Sequence, residues 1–169
     1  MPEPRRYCFF DTVTLSNFAL TQRLDLLILR YGRRAQVTQE VLDEVSDGIV
    51  AGYDALQSIM DAVAARKLGA AAPLSAVERE EYGKLLRVLA SGEASCIACA
   101  DKRGGIVATD DRTARASCTE RGIRCTGTIG ILKACAAGGS LSPHDADAVL
   151  QAMIDAGYHA PVQRISDIL

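Results

Sequence analysis

Short apolar runs that alternate with longer segments of helical periodicity constrain the fold more than any other feature of the chain. The runs predicted to form strands span residues 7–10, 35–38, 105–109 and 123–126. Continuous apolar runs of this length are typical of strands that are buried on both faces of a parallel sheet. In the segments that follow them, apolar residues recur every three or four positions, which predicts helices. The alternation predicts βαβ units, and therefore a parallel sheet with helices on both faces.

Capping signals predict where several helices begin. Ser75 and Glu78 have the spacing of a capping box, and Ser142 precedes a proline in the first turn of another predicted helix. Thr128 is predicted to cap a further helix. The segment 92–102 carries alanine or cysteine on nearly every side, which predicts a short and deeply buried helix.

The composition is that of a globular protein with one hydrophobic core. Of its 169 residues, 49% are hydrophobic and 24% are charged, which excludes intrinsic disorder and predicts a single domain over residues 1–169. No apolar run approaches the roughly 18 residues that a membrane helix needs. The first ten residues lack the apolar region of a secretory signal, so we expect a cytoplasmic protein with no membrane association. The formal net charge of −2 is unlike that of proteins that coat DNA, although it does not exclude nucleic acid.

Six cysteines are expected to be reduced and buried, because the sequence shows no secretory signal and a domain of this size does not require disulfides. Cys96 and Cys99 have the spacing of half a zinc site or of a redox pair. However, no second ligand pair occurs at the proper spacing, and both residues lie inside an apolar predicted helix. Core packing is therefore the preferred interpretation, with a metal or redox role as the alternative.

Acidic residues directly follow two of the predicted strands. Asp11 is the first residue after the first run, and Asp110 and Asp111 follow the third. Right-handed crossovers place the carboxyl ends of parallel strands at one edge of the sheet, and ligands bind at that edge in open α/β sheets. We therefore expect these carboxylates to lie at a ligand site.

Two further acids lie on predicted helices next to this edge. Glu44 lies one and a half turns into the helix after the second strand, where Val41 and Val45 face the core. Glu93 lies in the first turn of the buried alanine-rich helix, where the helix dipole favours an anion. Carboxylates that converge repel one another by several kcal/mol unless a cation lies between them. Mg²⁺ or Mn²⁺ is the expected cation, and such a site is suited to phosphodiester hydrolysis.

All of these acids except Glu93, which is hard to explain as an ordinary surface charge, also have a simpler interpretation. Asp11 alone could be a turn or cap residue, and Asp110 with Asp111 could be an N-cap pair. Glu44 could be a solvated helix charge, because other acids surround it in the sequence. The segment after Asp11 also looks like that of haloacid dehalogenase-type phosphatases, but Val13 occupies the place of their second Asp. The sequence has no glycine-rich phosphate loop, so dinucleotide or NTP binding has no support.

Five segments of the chain together resemble one known family. Residues 10–15, 37–44, 92–98 and 106–111 look like the four acidic motifs of PIN-domain nucleases, in the order in which that family has them. Residues 127–132 are similar to a Gly-Thr-x-Gly-x-Leu segment of one branch, which contains predicted nucleic-acid-binding proteins related to VapC-type toxins. The resemblance covers residues 7–157 and implies a three-layer α/β/α PIN-like domain with a four- to five-stranded, mainly parallel sheet.

The resemblance also implies roles for individual residues. The expected catalytic and metal-binding acids are Asp11, Glu44, Glu93 and Asp111, with Asp110 as an alternative or auxiliary ligand. Thr109 matches a position where the family often carries a hydroxyl near the metal-bound water. Val13 departs from the family, which commonly has Asn or Ser there, and so a polar group is missing beside the site.

Basic residues and expected partners complete the prediction. Arg112 and Arg115 lie on the first turns of the helix that starts at the proposed site, so we expect them to contact substrate phosphates, with ordinary solvent-facing charge as the alternative. The segment 52–90 is longer than in compact family members and is expected to form a helical insertion or clip, within which residues 70–73 end a helix. An RNA substrate, a second copy of the chain and a small antitoxin protein, which places an Arg among the carboxylates, are the expected partners.

The predicted function is therefore that of a divalent-metal-dependent endoribonuclease, the toxin of a type II toxin–antitoxin pair. The alternative is a non-catalytic PIN-like module that binds RNA or a protein, which Val13 and the long middle region favour. A structure-specific DNA nuclease is a third interpretation.

Overall fold

The computed structural model describes residues 6–169, and within this range five short strands form one parallel sheet. The strands are β1 (Cys8–Phe10), β2 (Ala35–Val37), β3 (Gly69–Ala70), β4 (Ile106–Ala108) and β5 (Arg124–Thr126). Their order is β3-β2-β1-β4-β5, and every neighbouring pair is parallel. The chain reverses its direction of travel across the sheet between β1 and β4. In an open α/β sheet this switch point is where a ligand crevice forms.

The described part of the chain also contains nine α-helices. They are α1 (Thr12–Leu20), α2 (Leu24–Tyr31), α3 (Gln39–Val50), α4 (Gln57–Ala64), α5 (Ala76–Leu85), α6 (Ser91–Arg103), α7 (Arg112–Glu120), α8 (Thr128–Ala137) and α9 (Pro143–Asp155). Short 3₁₀ segments occur at Gly32–Arg34, Asp54–Leu56 and Ser166–Ile168. Helices and sheet form a three-layer α/β/α fold, which confirms the predicted fold class.

Strand β3 is the element that the sequence does not reveal. The sequence predicts only a helix break at residues 70–73, whereas Gly69–Ala70 pairs with β2 at the edge of the sheet. Two residues without a large side chain carry no strand periodicity. Gly69 is required because a Cβ there would overlap the carbonyl oxygen of Arg33 and the side chain of Gln36. The segment 52–90, predicted as a helical insertion or clip, therefore also contributes an edge strand.

Two predicted helix starts are confirmed and one is wrong. Ser75 and Glu78 form a complete capping box at α5, and Ser142 Oγ accepts a hydrogen bond of 3.0 Å from the amide of Asp145 at α9. Thr128 does not cap α8, because it is already the first helical residue and the N-cap is Gly127, which has no side-chain oxygen.

The core confirms the predicted burial of α6. Residues 94–100 are all buried, including Cys96 and Cys99. All six cysteines are free thiols, and burial raises the pKa of Cys99 to about 12. A thiol with such a pKa is a poor nucleophile and a poor metal ligand, which favours the core interpretation. None of the helices within residues 6–169 is long and apolar enough to cross a membrane, and residues 1–5, part of the segment in which we predict no secretory signal, lie outside the described range.

Candidate active site

An open cavity of about 590 Å³ lies beside the switch point between β1 and β4. All five acids that the sequence singles out line it, namely Asp11, Glu44, Glu93, Asp110 and Asp111. Asp11 follows β1 and the Asp110–Asp111 pair follows β4, whereas Glu44 and Glu93 are brought in by α3 and α6. The cavity therefore combines the switch point of the sheet, where ligands bind in open α/β folds, with five carboxylates.

Asp11 is the most buried of these acids, with only 1% of its surface exposed. It is the N-cap of α1, and its Oδ1 accepts a hydrogen bond of 2.8 Å from the amide of Thr14. Its other oxygen, Oδ2, is buried and has no hydrogen-bond partner within residues 6–169. Burial raises the pKa of Asp11, the nearby hydroxyls of Thr109 and Thr14 oppose that shift, and the charge of Asp110 adds to it. An orphaned carboxylate oxygen in a cavity is costly unless a ligand satisfies it.

Glu44 lies in the middle of α3 and reaches the start of α6. Its Oε1 accepts a hydrogen bond of 3.1 Å from Thr12 Oγ1. A Cβ at position 92 would overlap the same oxygen, so the glycine at Gly92 permits the close approach of the carboxylate to α6. Val41 and Val45, which precede and follow Glu44 on α3, are fully buried and fix the rotation of the helix.

Glu93 is the third residue of α6, whose N-cap, Ala90, offers no side-chain hydrogen bond. The pKa of Glu93 is raised to about 7, first by desolvation and then by the charges of Asp111, Asp11 and Glu44. The amide of Ala90 lowers this pKa but does not offset the repulsion. Glu93 and the three acids that raise its pKa all line the cavity, and a perturbed carboxyl in a cleft is typical of functional sites.

Asp110 and Asp111 serve different purposes although they are adjacent. Both oxygens of Asp110 accept hydrogen bonds from Thr128, Oδ1 from the amide at 2.9 Å and Oδ2 from the hydroxyl. Asp110 thus takes the capping role that the sequence assigned to Thr128, and Asn17 Nδ2 donates to the same threonine hydroxyl at 3.0 Å. Asp111 is exposed and caps α7, with its Oδ1 accepting from the amide of Ala114 at 2.8 Å. Only Asp111 of the two is therefore the N-cap of the helix that follows, and Asp110 instead accepts hydrogen bonds at the start of α8.

Arg112 and Arg115, predicted to contact substrate, and Thr109, predicted to lie near the metal-bound water, differ in their hydrogen bonds and burial. Arg115 Nη1 donates to the carbonyl oxygens of Thr109 at 2.8 Å and Thr126 at 3.2 Å, and so it joins the ends of β4 and β5. Thr109 is fully buried, and its Oγ1 accepts from the amide of Asp111 at 3.2 Å. Arg112 is exposed at the first position of α7. None of the three lines the cavity, but Arg112 directly follows Asp111, which does.

Several lining residues had no signal of their own in the sequence. Tyr53, which follows α3, and Tyr158 and His159, which follow α9, all line the cavity, as does Asn17 of α1. They lie outside the acidic motifs along the chain, and only the folded structure brings them to the site. Gly92 could have been found, because it directly precedes Glu93 at the start of a buried helix, where a missing Cβ indicates a close approach.

The donor set fits a hard divalent cation, although the side chains are not yet arranged around one. Carboxylate oxygens are the ligands that Mg²⁺ and Mn²⁺ prefer, and the orphaned Oδ2 of Asp11 is a ready donor. Within residues 6–169, no three His, Cys, Asp or Glu side chains form a group that could hold a metal ion as they stand. Coordination by three of these carboxylates therefore requires side-chain rotation.

A protein-family model matches nearly the whole chain. The model of the family DUF3368, described as a PIN domain, matches residues 8–169, which include all five strands and all five acids of the cavity. No match was found among curated proteins.

Proposed function

The chain belongs to the PIN-domain family, and on this premise we propose that it is a divalent-metal-dependent endoribonuclease that hydrolyses RNA phosphodiester bonds. PIN domains are generally nucleases. The observation that carries the proposal is the unpartnered, buried Oδ2 of Asp11 in a cavity where neighbouring carboxylates raise the proton affinity of Glu93. Such a set of charges is stable only with a cation or protons among them.

Asp11, Glu44, Glu93 and Asp111 are the residues that would hold Mg²⁺ or Mn²⁺. When bound there, the ion lowers the pKa of an attacking water and neutralises charge on the phosphate that is cleaved. The chain's own contribution is to bring the carboxylates to one cavity. The bond to the Thr14 amide fixes Asp11 and leaves its Oδ2 unpartnered, whereas Glu44, which is bonded to Thr12, is among the side chains that would rotate to reach the ion.

Asp110, Arg115 and Thr109 are assigned a supporting role, which revises the expectation that they bind metal or substrate. Asp110 lines the cavity and anchors the start of α8 there. Arg115 and Thr109 fix the ends of β4 and β5 and the backbone of Asp111. Arg112 remains as the proposed phosphate contact, and a substrate held through it should bind more weakly as salt rises.

The wider biological proposal is that the protein is the toxin of a toxin–antitoxin pair and acts as a homodimer. It rests on the resemblance of the motifs to VapC-type relatives. A small antitoxin that inserts a guanidinium among the carboxylates would compete with the cation for the same oxygens. Excess Mn²⁺ should therefore weaken the binding of such a partner.

The test is cleavage of labelled RNA by the wild type with Mn²⁺, with EDTA, and by Asp11→Asn with Mn²⁺. Asn keeps the oxygen that caps α1 but removes the charge, so the fold should persist while cleavage is lost. Asp47→Asn, on the exposed face of α3 outside the cavity, is the matched control and should cleave like the wild type. Equal background in all arms would disprove catalysis.

The non-catalytic alternative and the DNA alternative are resolved by the same samples. A module without a metal site shows no rise in melting temperature with Mn²⁺, whereas a site with metal-binding carboxylates does. Parallel reactions with single-stranded DNA of the same sequence show whether the sugar matters. Cleavage of DNA alone would replace the ribonuclease proposal with a deoxyribonuclease.

A further inference from the structure

Tyr53 is an exposed aromatic residue on the wall of the acid cavity. Tyr53 is 58% exposed although it lines the same cavity as Asp11 and Glu93. The aromatic contact within residues 6–169 is between Phe10 and Tyr31, so the Tyr53 ring has no aromatic partner in this range. Val13, also on the cavity wall, is 54% exposed. An apolar surface therefore lies beside the carboxylates.

The backbone on both sides of Tyr53 is held in place. Its amide donates to the carbonyl of Gly48 at 3.0 Å, and its carbonyl accepts from the amide of Leu56 at 3.0 Å. The preceding Gly52 has a φ of +108°, which permits the turn that ends α3. Leu56 is buried and packs so close to Gly48 that a Cβ there would lie 2.7 Å from Leu56 Cδ1. The ring is thus presented on a rigid support rather than on a loose loop.

We propose that Tyr53 is a substrate-positioning residue that stacks on an unpaired base next to the phosphodiester bond in the cavity. The inference rests on the proposed nuclease function and adds the residue that holds the substrate, because a base that stacks on Tyr53 has to be unpaired. A base inside a duplex already has both faces covered by its neighbours and cannot lie on the ring without being unstacked.

Three features make a nucleotide the occupant that this wall fits. The cavity volume of about 590 Å³ lies within the roughly 300–1,000 Å³ of small-molecule sites. Carboxylates at one part of the cavity suit the cations that accompany a phosphate, whereas a flat ring suits the uncharged face of a base. Stacking on aromatic side chains tolerates any base, so Tyr53 would set the strandedness of the substrate and not its sequence.

The experiment measures binding, so that it does not depend on cleavage. Each variant is made in the Asp11→Asn background, and fluorescence anisotropy gives the affinity for a labelled oligouridylate, its deoxy counterpart, the duplex form and a strand of abasic sugars. Tyr53→Ala should weaken binding of the oligouridylate about tenfold, and Tyr53→Phe should bind like the parent because the ring remains. Tyr7→Ala, which removes an exposed ring outside the cavity, is the matched control and should change nothing.

The abasic strand and the duplex separate stacking from other effects. Tyr53→Ala should leave the affinity for the abasic strand unchanged, because there is no base to stack, and likewise that for the duplex. An equal loss on the oligouridylate and the abasic strand, or no loss on the oligouridylate, overturns the proposal. Equal effects on the ribose and deoxyribose strands are expected, since the base is their shared chemistry.

Failure of the stacking proposal and failure of the nuclease proposal give different results. If Tyr53→Ala weakens binding while the wild type cleaves nothing, the stacking site stands and the nuclease proposal fails. If the wild type cleaves and Tyr53→Ala binds like Tyr7→Ala, the reverse holds.

Discussion

A carboxylate lies at each end of α6, and its surroundings shift its pKa in opposite directions. At its C-terminal end, Arg103 donates to both oxygens of Glu78, at 2.7 Å from Nε and 2.9 Å from Nη2, and also to the carbonyl oxygens of Ala72 and Pro73. At its N-terminal end, the charges that act on Glu93 are those of other carboxylates. The hydrogen bonds from Arg103 lower the pKa of Glu78 to about 2, whereas desolvation and like charges raise that of Glu93 to about 7.

The difference teaches how a structural carboxylate can be told apart from a functional one at the two ends of α6. A buried carboxylate with a bidentate partner is complete, and nothing needs to be added to it. Glu93 and Asp11 are incomplete, because their neighbours add negative charge and leave Oδ2 of Asp11 without a partner in the described range. The incomplete end is where a ligand gains most from binding.

The largest loss of stability should follow from removing the ion pair between Arg103 and Glu78. Arg103→Met leaves the Glu78 carboxylate, whose side chain is 4% exposed, without its cationic partner. We expect the free energy of unfolding to fall by about 3 kcal/mol, because an unpaired buried charge remains, and we expect the pKa of Glu78 to rise. Urea denaturation at neutral pH measures the first effect, and its pH dependence measures the second.

Lys84→Met is the control for this experiment. Lys84 is 61% exposed and lies 3.9 Å from Glu80, so its removal should change stability little. Adding Glu78→Gln to Arg103→Met should recover part of the loss, since the buried charge is then gone. A double variant no more stable than Arg103→Met would show that the lost bonds to Ala72 and Pro73 dominate instead.

The next largest change in stability should follow from the binding of Mn²⁺ to the carboxylates near the N-terminal end of α6. Mn²⁺ at about 100 times its dissociation constant should stabilise the wild type by about 2.7 kcal/mol, because it binds only the folded site. Asp11→Asn should lose most of that gain, while Asp47→Asn keeps it. Differential scanning fluorimetry with and without Mn²⁺ gives the comparison. A full response in Asp11→Asn would remove Asp11 from the ligand set.

The two ends should also respond to pH with opposite sign. Glu93 has a higher pKa folded than unfolded, so its contribution to stability is present below its ordinary pKa of 4.5 and is lost as pH rises through 7. Glu78 has a lower pKa folded, so its contribution is present above 4.5 and is lost as pH falls towards 2. The metal-free protein should therefore be most stable near pH 4.5, as far as these two groups decide it.

Single variants show which of the two residues causes the loss of stability on each side of pH 4.5. Glu93→Gln should reduce the loss of stability between pH 4.5 and 7, and Glu78→Gln should reduce the loss below pH 4.5. Both are read from urea midpoints across the range in metal-free buffer. A profile of Glu93→Gln that superimposes on the wild type would show that Glu93 titrates normally.

The sequence could predict the incomplete end better than the complete one. Asp11 and Asp111 follow strands, and the topology of a parallel sheet brings strand ends to one edge whatever the details of packing. The capping box of Ser75 and Glu78 is local and was also predictable. The partner of Glu78, however, lies 25 residues away on another helix, and no periodicity in the chain indicates which of many arginines fills that role.

The hydrogen bonds of the side chains inside the site could not be predicted from the sequence either. Arg115 was predicted to contact phosphate, yet its Nη1 is bound to two backbone carbonyls, and both oxygens of Asp110 are taken by Thr128. Such pairings depend on the distance between strand ends and helix starts, which the residue order does not contain. The sequence thus predicts which acids converge, but not which of them remain free for a ligand.

The smallest change in stability is expected from replacing either of two helical glycines with alanine, and the comparison of the two tests the position of Glu44. At Gly83 in α5 an added Cβ would meet no atom within 4 Å, so Gly83→Ala should stabilise the protein by about 0.5–1 kcal/mol through helix propensity alone. At Gly92 in α6 an added Cβ would overlap Glu44 Oε1 and lie 3.1 Å from Thr12 Oγ1. Gly92→Ala must therefore displace the Glu44 carboxylate, which offsets the propensity gain.

The Mn²⁺ response distinguishes a displaced ligand from a merely strained helix. Gly83→Ala should keep the full rise in melting temperature, since α5 does not line the cavity. Gly92→Ala should lose a large part of it, because Glu44 can no longer lie against the start of α6. If both variants gain stability equally and respond equally to Mn²⁺, the close packing of Glu44 on α6 has no part in metal binding. Glu44 would then belong with the ordinary helix charges, and the incomplete end of α6 would have to be completed by Asp11, Glu93 and Asp111 alone.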